Sequence, residues 1–166
     1  MSHDDLVWRA AGPADAEAVV AAIDDWWPGI HMVHGVCPQL FEHFGDTCFI
    51  VEDEDGLLGF LVGFMSQRFP AAGYVHYMGV RPEGRGAGLG TQMYERFAQV
   101  TRARGRTEIL AEAGAWNVRS IAFHQRVGFT LEPGDEIIDG LPVQHPAGHG
   151  FDYVKMVWRL SGEEGA

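Results

Sequence analysis

Glycine occupies every second position from Gly84 to Gly90 in the run Gly84-Arg85-Gly86-Ala87-Gly88-Leu89-Gly90-Thr91. A stretch with so few Cβ atoms lets backbone N–H groups turn inward and approach a ligand closely. The residues that follow place Leu89, Met93, Phe97 and Val100 at i, i+4, i+8 and i+11, one apolar face of a helix. Amides gathered at a helix start, where the macrodipole is positive, make an anion site suited to a pyrophosphate. Two common versions of such a site do not fit. The spacing of Gly86, Gly88 and Gly90 is wrong for the Gly-x-Gly-x-x-Gly of a dinucleotide fold, and no lysine supplies the Gly-Lys-Ser/Thr of a Walker loop.

Other chemistry-bearing residues exclude more than they suggest. His31-x-x-His34 and His145-x-x-x-His149 lie in Pro/Gly-rich segments without a third ligand at usable spacing, so no metal is expected. Cys37 and Cys48 show neither metal spacing nor a disulfide framework. The net charge of −11 argues against nucleic acid as a partner. Its distribution is uneven, however. Arg81 to Arg126 holds eight Lys/Arg and four Asp/Glu, and the remainder four basic and nineteen acidic residues. An anion would be steered to the glycine loop, and a cationic second substrate to the acidic remainder.

The elements that must position this loop follow from periodicity. Tyr74 to Val80 is β-branched and aromatic, a strand entering the loop. Thr107 to Glu112 is a strand leaving the helix, and strand–helix–strand predicts a right-handed parallel crossover. Upstream, Leu6 to Arg9 reads as a strand, Ala14 to Asp25 as a helix, and Pro38 to Phe44 as a short helix. Thr47 to Val51 and Leu57 to Met65 form a hairpin across the acidic turn Glu52 to Gly56. Ser66 to Gly73 reads as a loop. A helix capped by Asn117 stops at Gly128, a glycine suited to the left-handed C′ position. Phe129 to Ile138 and Phe151 to Leu160 read as closing strands. The 166 residues fit one domain spanning 1–166, with 46% apolar content typical of a globular protein. No apolar run spans a bilayer and Met1 to Asp5 lacks a basic signal-peptide start, so the expected location is cytoplasmic and no membrane partner is expected.

The segment Arg85-x-x-Gly88-x-Gly90, after a strand ending in Val80 and a turn holding Pro82, resembles the coenzyme A loop of the GCN5-related N-acetyltransferases, the GNAT family. Asn117-x-x-Ser120-x-x-Phe123-His124-x-x-x-Gly128-Phe129 resembles that family's second hallmark. The resemblance covers nearly the whole chain, with Trp26 to Val36 and Asp139 to Gly150 matching in position only. It implies an α/β (α+β) fold with a central mixed, mostly antiparallel sheet of about seven strands, a splayed parallel pair in its middle, and about four flanking helices.

The resemblance also implies acetyl-CoA as cosubstrate and transfer of its acetyl group to a primary amine of a small molecule or peptide. Backbone groups of Met78, Gly79 and Val80 would meet the pantetheine arm and the thioester oxygen. Amides of Arg85, Gly86, Ala87, Gly88, Leu89 and Gly90, with the Thr91 hydroxyl, would hold the pyrophosphate. Asn117, Ser120, Phe123 and His124 would line the cofactor from the second motif. An amine with pKa near 10.4 is unprotonated in roughly one molecule in a thousand near neutrality, so a proton acceptor is needed. His76, on the strand face of Tyr74 and Met78, is the first candidate, and Glu112 on the neighbouring strand the second. His124 stands where the family usually has Tyr and is the candidate acid for the leaving thiolate. Members commonly build the acceptor pocket from the segments holding Trp27, His31 and His34 and holding Asp139, His145 and His149, and aromatic and acidic walls suit a cationic amine. A catalytically silent acyl-CoA-binding module and a protein N-acetyltransferase are the alternatives. A homodimer is compatible with the terminal strand at Phe151 to Val154.

Overall fold

The computed structural model describes residues 6–27, 33–145 and 151–160. Strand β1 (Val7–Ala10), helix α1 (Asp15–Trp26), helix α2 (Pro38–His43) and strands β2 (Phe49–Asp53), β3 (Gly56–Met65) and β4 (Ala72–Val80) lead to helix α3 (Leu89–Ala103). Strand β5 (Glu108–Gly114), helix α4 (Val118–Val127) and strands β6 (Thr130–Leu131), β7 (Glu136–Ile138), β8 (Leu141–Val143) and β9 (Tyr153–Arg159) complete the chain. The fold is mixed α/β: a mostly antiparallel seven-stranded sheet, β1-β2-β3-β4-β5-β9-β6, with one parallel pair and four α-helices among the described residues. None of those helices is long and apolar enough to cross a membrane.

The residues fall into two compact units, 1–65 with 75–100 and 66–74 with 101–166. In the first, β1, β2 and β3 pair antiparallel, Val7 opposite Glu52 and Ile50 opposite Phe60. Val19, Ile23 and Trp26 bring the apolar stripe of α1 onto Phe41, Ile50 and Phe60 in a buried cluster. Full burial of each such side chain contributes about 1.5–3 kcal/mol. The expected apolar stripe of α3 is present at Leu89, Met93 and Phe97, but its last buried position is Thr101, while Val100 is only half-buried. In the second unit β5 and β9 pair from Glu108 opposite Arg159 to Gly114 opposite Tyr153, and Ile109, Ala111, Met156 and Val157 are buried.

Among the boundaries that differ from the expectation, three have a physical reason in the contacts around them. The acidic turn shrinks to Glu54 and Asp55, with Gly56 at φ +96 opening β3. Glu52 and Asp53 stay on the strand because Arg9 and Arg81 neutralise them. β4 begins at Ala72, since the Ser66 and Ala72 amides bond back to Ala72 and Phe69 carbonyls and close a tight turn. The expected strand Phe129 to Ile138 is two pieces. Glu132 N bonds Lys155 O, Pro133 then has no N–H to offer, and Gly134 passes so near the Pro142–Val143 backbone that a Cβ would fall within 2.4–2.6 Å. β7 therefore pairs with β8 as a separate ribbon.

Candidate active site

In the first unit, β4 runs directly into the glycine loop. Arg81 N bonds Leu58 O at 2.8 Å, and Pro82–Gly84 form a single 3-10 turn before α3. Gly86 and Gly88 both sit at φ +85, where side-chain-bearing residues are strained. A Cβ on Gly86 would meet nothing within 4 Å, and one on Gly88 only Gln92 Nε2 at 4.0 Å. Glycine is thus required here by conformation, and the loop is open to a ligand. The first amides of α3 have no intrahelical carbonyl to bond, the ladder opening with Gln92 N to Gly88 O. A bent, glycine-lined backbone ending on a helix N-terminus fits a pyrophosphate. Ala87 lies in this loop, and Leu89, Gly90 and Thr91 open α3. The Arg85 side chain holds the loop from behind: Nε donates to Val80 O at 2.9 Å and Nη2 to Trp26 O at 2.7 Å, with the guanidinium 5.3 Å from the Trp27 ring centroid. A cation at the carbonyl end of α1 also suits the helix dipole.

The residues of this unit expected on the acceptor side lie on β4, at the end of α1 and in the turn Val33–Gly35. Trp26 is a core residue, 5.8 Å from Phe60 between ring centroids. Trp27 is half-buried and lies against Gly79. Val33–Gly35 is a 3-10 turn whose Val33 N bonds the Asp24 carboxylate at 3.2 Å; His34 in it is exposed. His76 Nε2 is 3.0 Å from Gly35 O. A carbonyl oxygen only accepts, so Nε2 carries a proton, and in the neutral ring the lone pair is on Nδ1. The Tyr77 ring packs on Gly35 and stacks on Phe60 at 6.4 Å and 12°. Burial, with a smaller push from Asp24, raises the Tyr77 phenol to about 12. His31 lies outside the described residues. Met78 and Val80 are half-buried strand residues.

The second unit holds the remaining expected residues. Asn117 caps α4, its Oδ1 accepting Ser120 N at 3.1 Å, and Gly128 ends the helix at φ +123. His124 is buried between Phe123 and Phe129, both edge-on, and its Nδ1–H donates to Ser120 O at 2.7 Å. Burial lowers its pKa, outweighing that hydrogen bond, so the ring is neutral near pH 7 with its lone pair on Nε2. Glu112 is exposed on β5 and accepts from the Tyr74 hydroxyl; burial first, then this carboxylate, pushes Tyr74 well above the tyrosine range. His145 is bound by Asp152 at 2.7 Å and Glu136 at 3.2 Å, which raise its pKa, and its amide bonds Asp135. Both ring nitrogens are thereby occupied in tying β7 to the segment before β9. Asp139 is exposed in the β7–β8 turn at φ +50.

Sequence reasoning missed Gly35, Tyr77 and the Trp26 carbonyl. The Gly35–His76 bond spans 41 positions, and no local pattern signals it. The Ser120–His124 bond was legible in principle, being an i to i+4 pair on one helix face.

This fold and glycine cradle define an acyl-CoA-dependent transferase. Residues 7–129 match the model of the acetyltransferase (GNAT) family, and the chain belongs to that family. It is an acetyl-CoA-dependent acyltransferase. No curated protein matches it. Among solved structures it is similar to the diaminobutyrate acetyltransferase EctA from Paenibacillus lautus, in complex with L-2,4-diaminobutyric acid and coenzyme A (20% identity, 96% of this chain and 98% of that one, TM-score 0.68). It is similar to yncA, a putative acetyltransferase from Salmonella typhimurium with acetyl-CoA (18%, 97% and 97%, TM-score 0.66). Nourseothricin acetyltransferase shares 28% identity over 69% of this chain and 65% of that one, with TM-score 0.56.

Proposed function

We propose that the protein acetylates the primary amine of a small cationic molecule, with His76 taking the proton that the amine loses. One observation carries this reading: the strand that enters the glycine cradle also bears a histidine whose tautomer leaves Nδ1 as a proton acceptor. The amine nitrogen attacks the thioester carbonyl, the C–N bond forms, the C–S bond breaks, and the amine proton passes to Nδ1. Acetyl-CoA supplies the activated acyl group, and the loop Arg85 to Thr91 would hold its phosphates.

The acceptor class is supported by the acidic balance of the chain, a net charge of −11, which favours a cationic amine. Solved relatives include one bound to diaminobutyric acid, a small diamine. His124 enters this reading as a neutral ring. The acid role would need an imidazolium, which burial disfavours, so the thiolate takes its proton from solvent.

The test is thiol release from acetyl-CoA against a panel of diamines, monoamines and N-terminal peptides. Small diamines should give turnover well above the background without acceptor. Turnover with peptides alone would replace this reading by a protein acetyltransferase.

A further inference from the structure

His76 is not held by its own strand neighbours. The partner of its Nε2 is a main-chain oxygen 41 positions earlier, Gly35 O at 3.0 Å. That oxygen is itself fixed from three sides. The turn Val33–Gly35 is closed by Val36 N to Val33 O at 3.1 Å and bound to α1 through Val33 N and Asp24 Oδ1. The Tyr77 ring presses on Gly35 so closely that a Cβ there would fall 2.5 Å from Cε2 and 2.9 Å from the hydroxyl oxygen. Tyr77 in turn stacks on buried Phe60 and cannot withdraw without opening the core. Gly35 is at no positive φ, so its glycine is required by this contact and not by backbone conformation.

We propose that Gly35 is a positioning residue for the transfer reaction: its carbonyl holds the His76 ring by Nε2–H and presents Nδ1 as the atom that accepts the amine proton. This inference rests on the reading of His76 as the base. Without the carbonyl the ring is free to rotate about χ2 and to exchange tautomers, and an acceptor that exists only part of the time lowers kcat in proportion. The cofactor cradle, built from Arg85 to Thr91, is untouched by that loss. The expected signature is therefore a kcat effect without a matching effect on the KM for acetyl-CoA.

The primary measurement uses the wild-type protein. Nitrogen-15 NMR of the ¹⁵N-histidine-labelled full chain above pH 8 should show His76 as a single species with a protonated Nε2 and an unprotonated Nδ1. In Gly35→Ala, tautomer exchange should appear, and kcat should fall at least tenfold while KM for acetyl-CoA stays within a factor of two. Because that variant adds a clash and some copies would be lost to misfolding, a second pair keeps the idea exposed. His76→Gln places an amide N–H where Nε2 stands and should keep the wild-type melting temperature, whereas His76→Asn, too short to reach Gly35, should not.

A wild-type His76 protonated on Nδ1, or equal melting of the Gln and Asn variants, would overturn the Gly35 assignment and leave the acetyltransferase reading intact. A correct tautomer together with full kcat in His76→Gln would instead sink His76 as the base, and the positioning role with it.

Discussion

Trp27 and Gly79 are in direct contact: a Cβ on Gly79 would lie 2.6 Å from Trp27 Cη2 and 2.6 Å from Phe60 Cε1. The C-terminal end of β4 is thus pressed by two aromatic rings, one from the end of α1 and one from β3. The rings approach the main chain that closely because Gly79 has no side chain to intervene. Gly79→Ala should destabilise the protein by about 1–3 kcal/mol through overpacking, or roughly 2–12 °C in Tm. Calorimetric melting checks this, and an unchanged Tm would show the rings to be free to move.

Gly88→Ala separates conformation from space. Its Cβ would meet only Gln92 Nε2 at 4.0 Å, yet φ is +85. The strain of about 1–2 kcal/mol should appear as a rise in KM for acetyl-CoA of roughly 5- to 30-fold. The acceptor KM should hardly change. Steady-state kinetics with each substrate varied in turn gives the answer.

The buried neutral ring of His124 has a consequence for acid stability. Its folded pKa is lowered by burial, so the unfolded chain takes up a proton first as pH falls. The stability is complete above the ordinary histidine value of about 6.5 and is lost as pH drops through the depressed folded value. Urea melts of wild type and His124→Phe between pH 4.5 and 8 should diverge in slope below that point, the variant being flatter. The kcat profile should show no loss from pH 6.5 to 8.5, where an imidazolium acid would already be deprotonated.

Arg9 bridges Asp15 at 2.7 Å and Glu52 at 2.9 Å, and its hydrogen bonds hold both carboxyls below their usual range. The Arg9 side chain is 39% exposed, so solvent screening limits the contribution to about 1 kcal/mol or less. Arg9→Met should show that loss at pH 7. The two proteins should converge as pH falls below about 4, where depressed carboxylates take up protons and their extra stability is lost. A gap that persists once both carboxylates are protonated in the folded protein would assign the effect to packing of the arginine stem.

Most of the frame was legible. The alternating glycines, the stripe at Leu89, Met93 and Phe97, and Asn117 to Gly128 are local signals, and each is present as expected. The misplaced boundaries were those set by distant partners. Asp53 reads as a turn residue until Arg81 is seen beside it. Phe129 to Ile138 reads as one strand until Pro142 and Val143 come within touching distance of Gly134. The partners of His145, Asp152 and Glu136, lie seven and nine positions away and have no local signal either.

By itself the sequence determined the glycine loop, because a glycine's freedom and a helix's dipole are properties of a few consecutive residues, and the reaction class followed from the family resemblance those residues carry. Only the tertiary structure decided which atoms of the histidines are available. Protonation of one ring nitrogen depends on what the other meets, and for His76 that is Gly35 O, brought across by the packing of Tyr77 on Phe60. For His124 it is burial among Phe123 and Phe129, which no count of residues along the chain reveals.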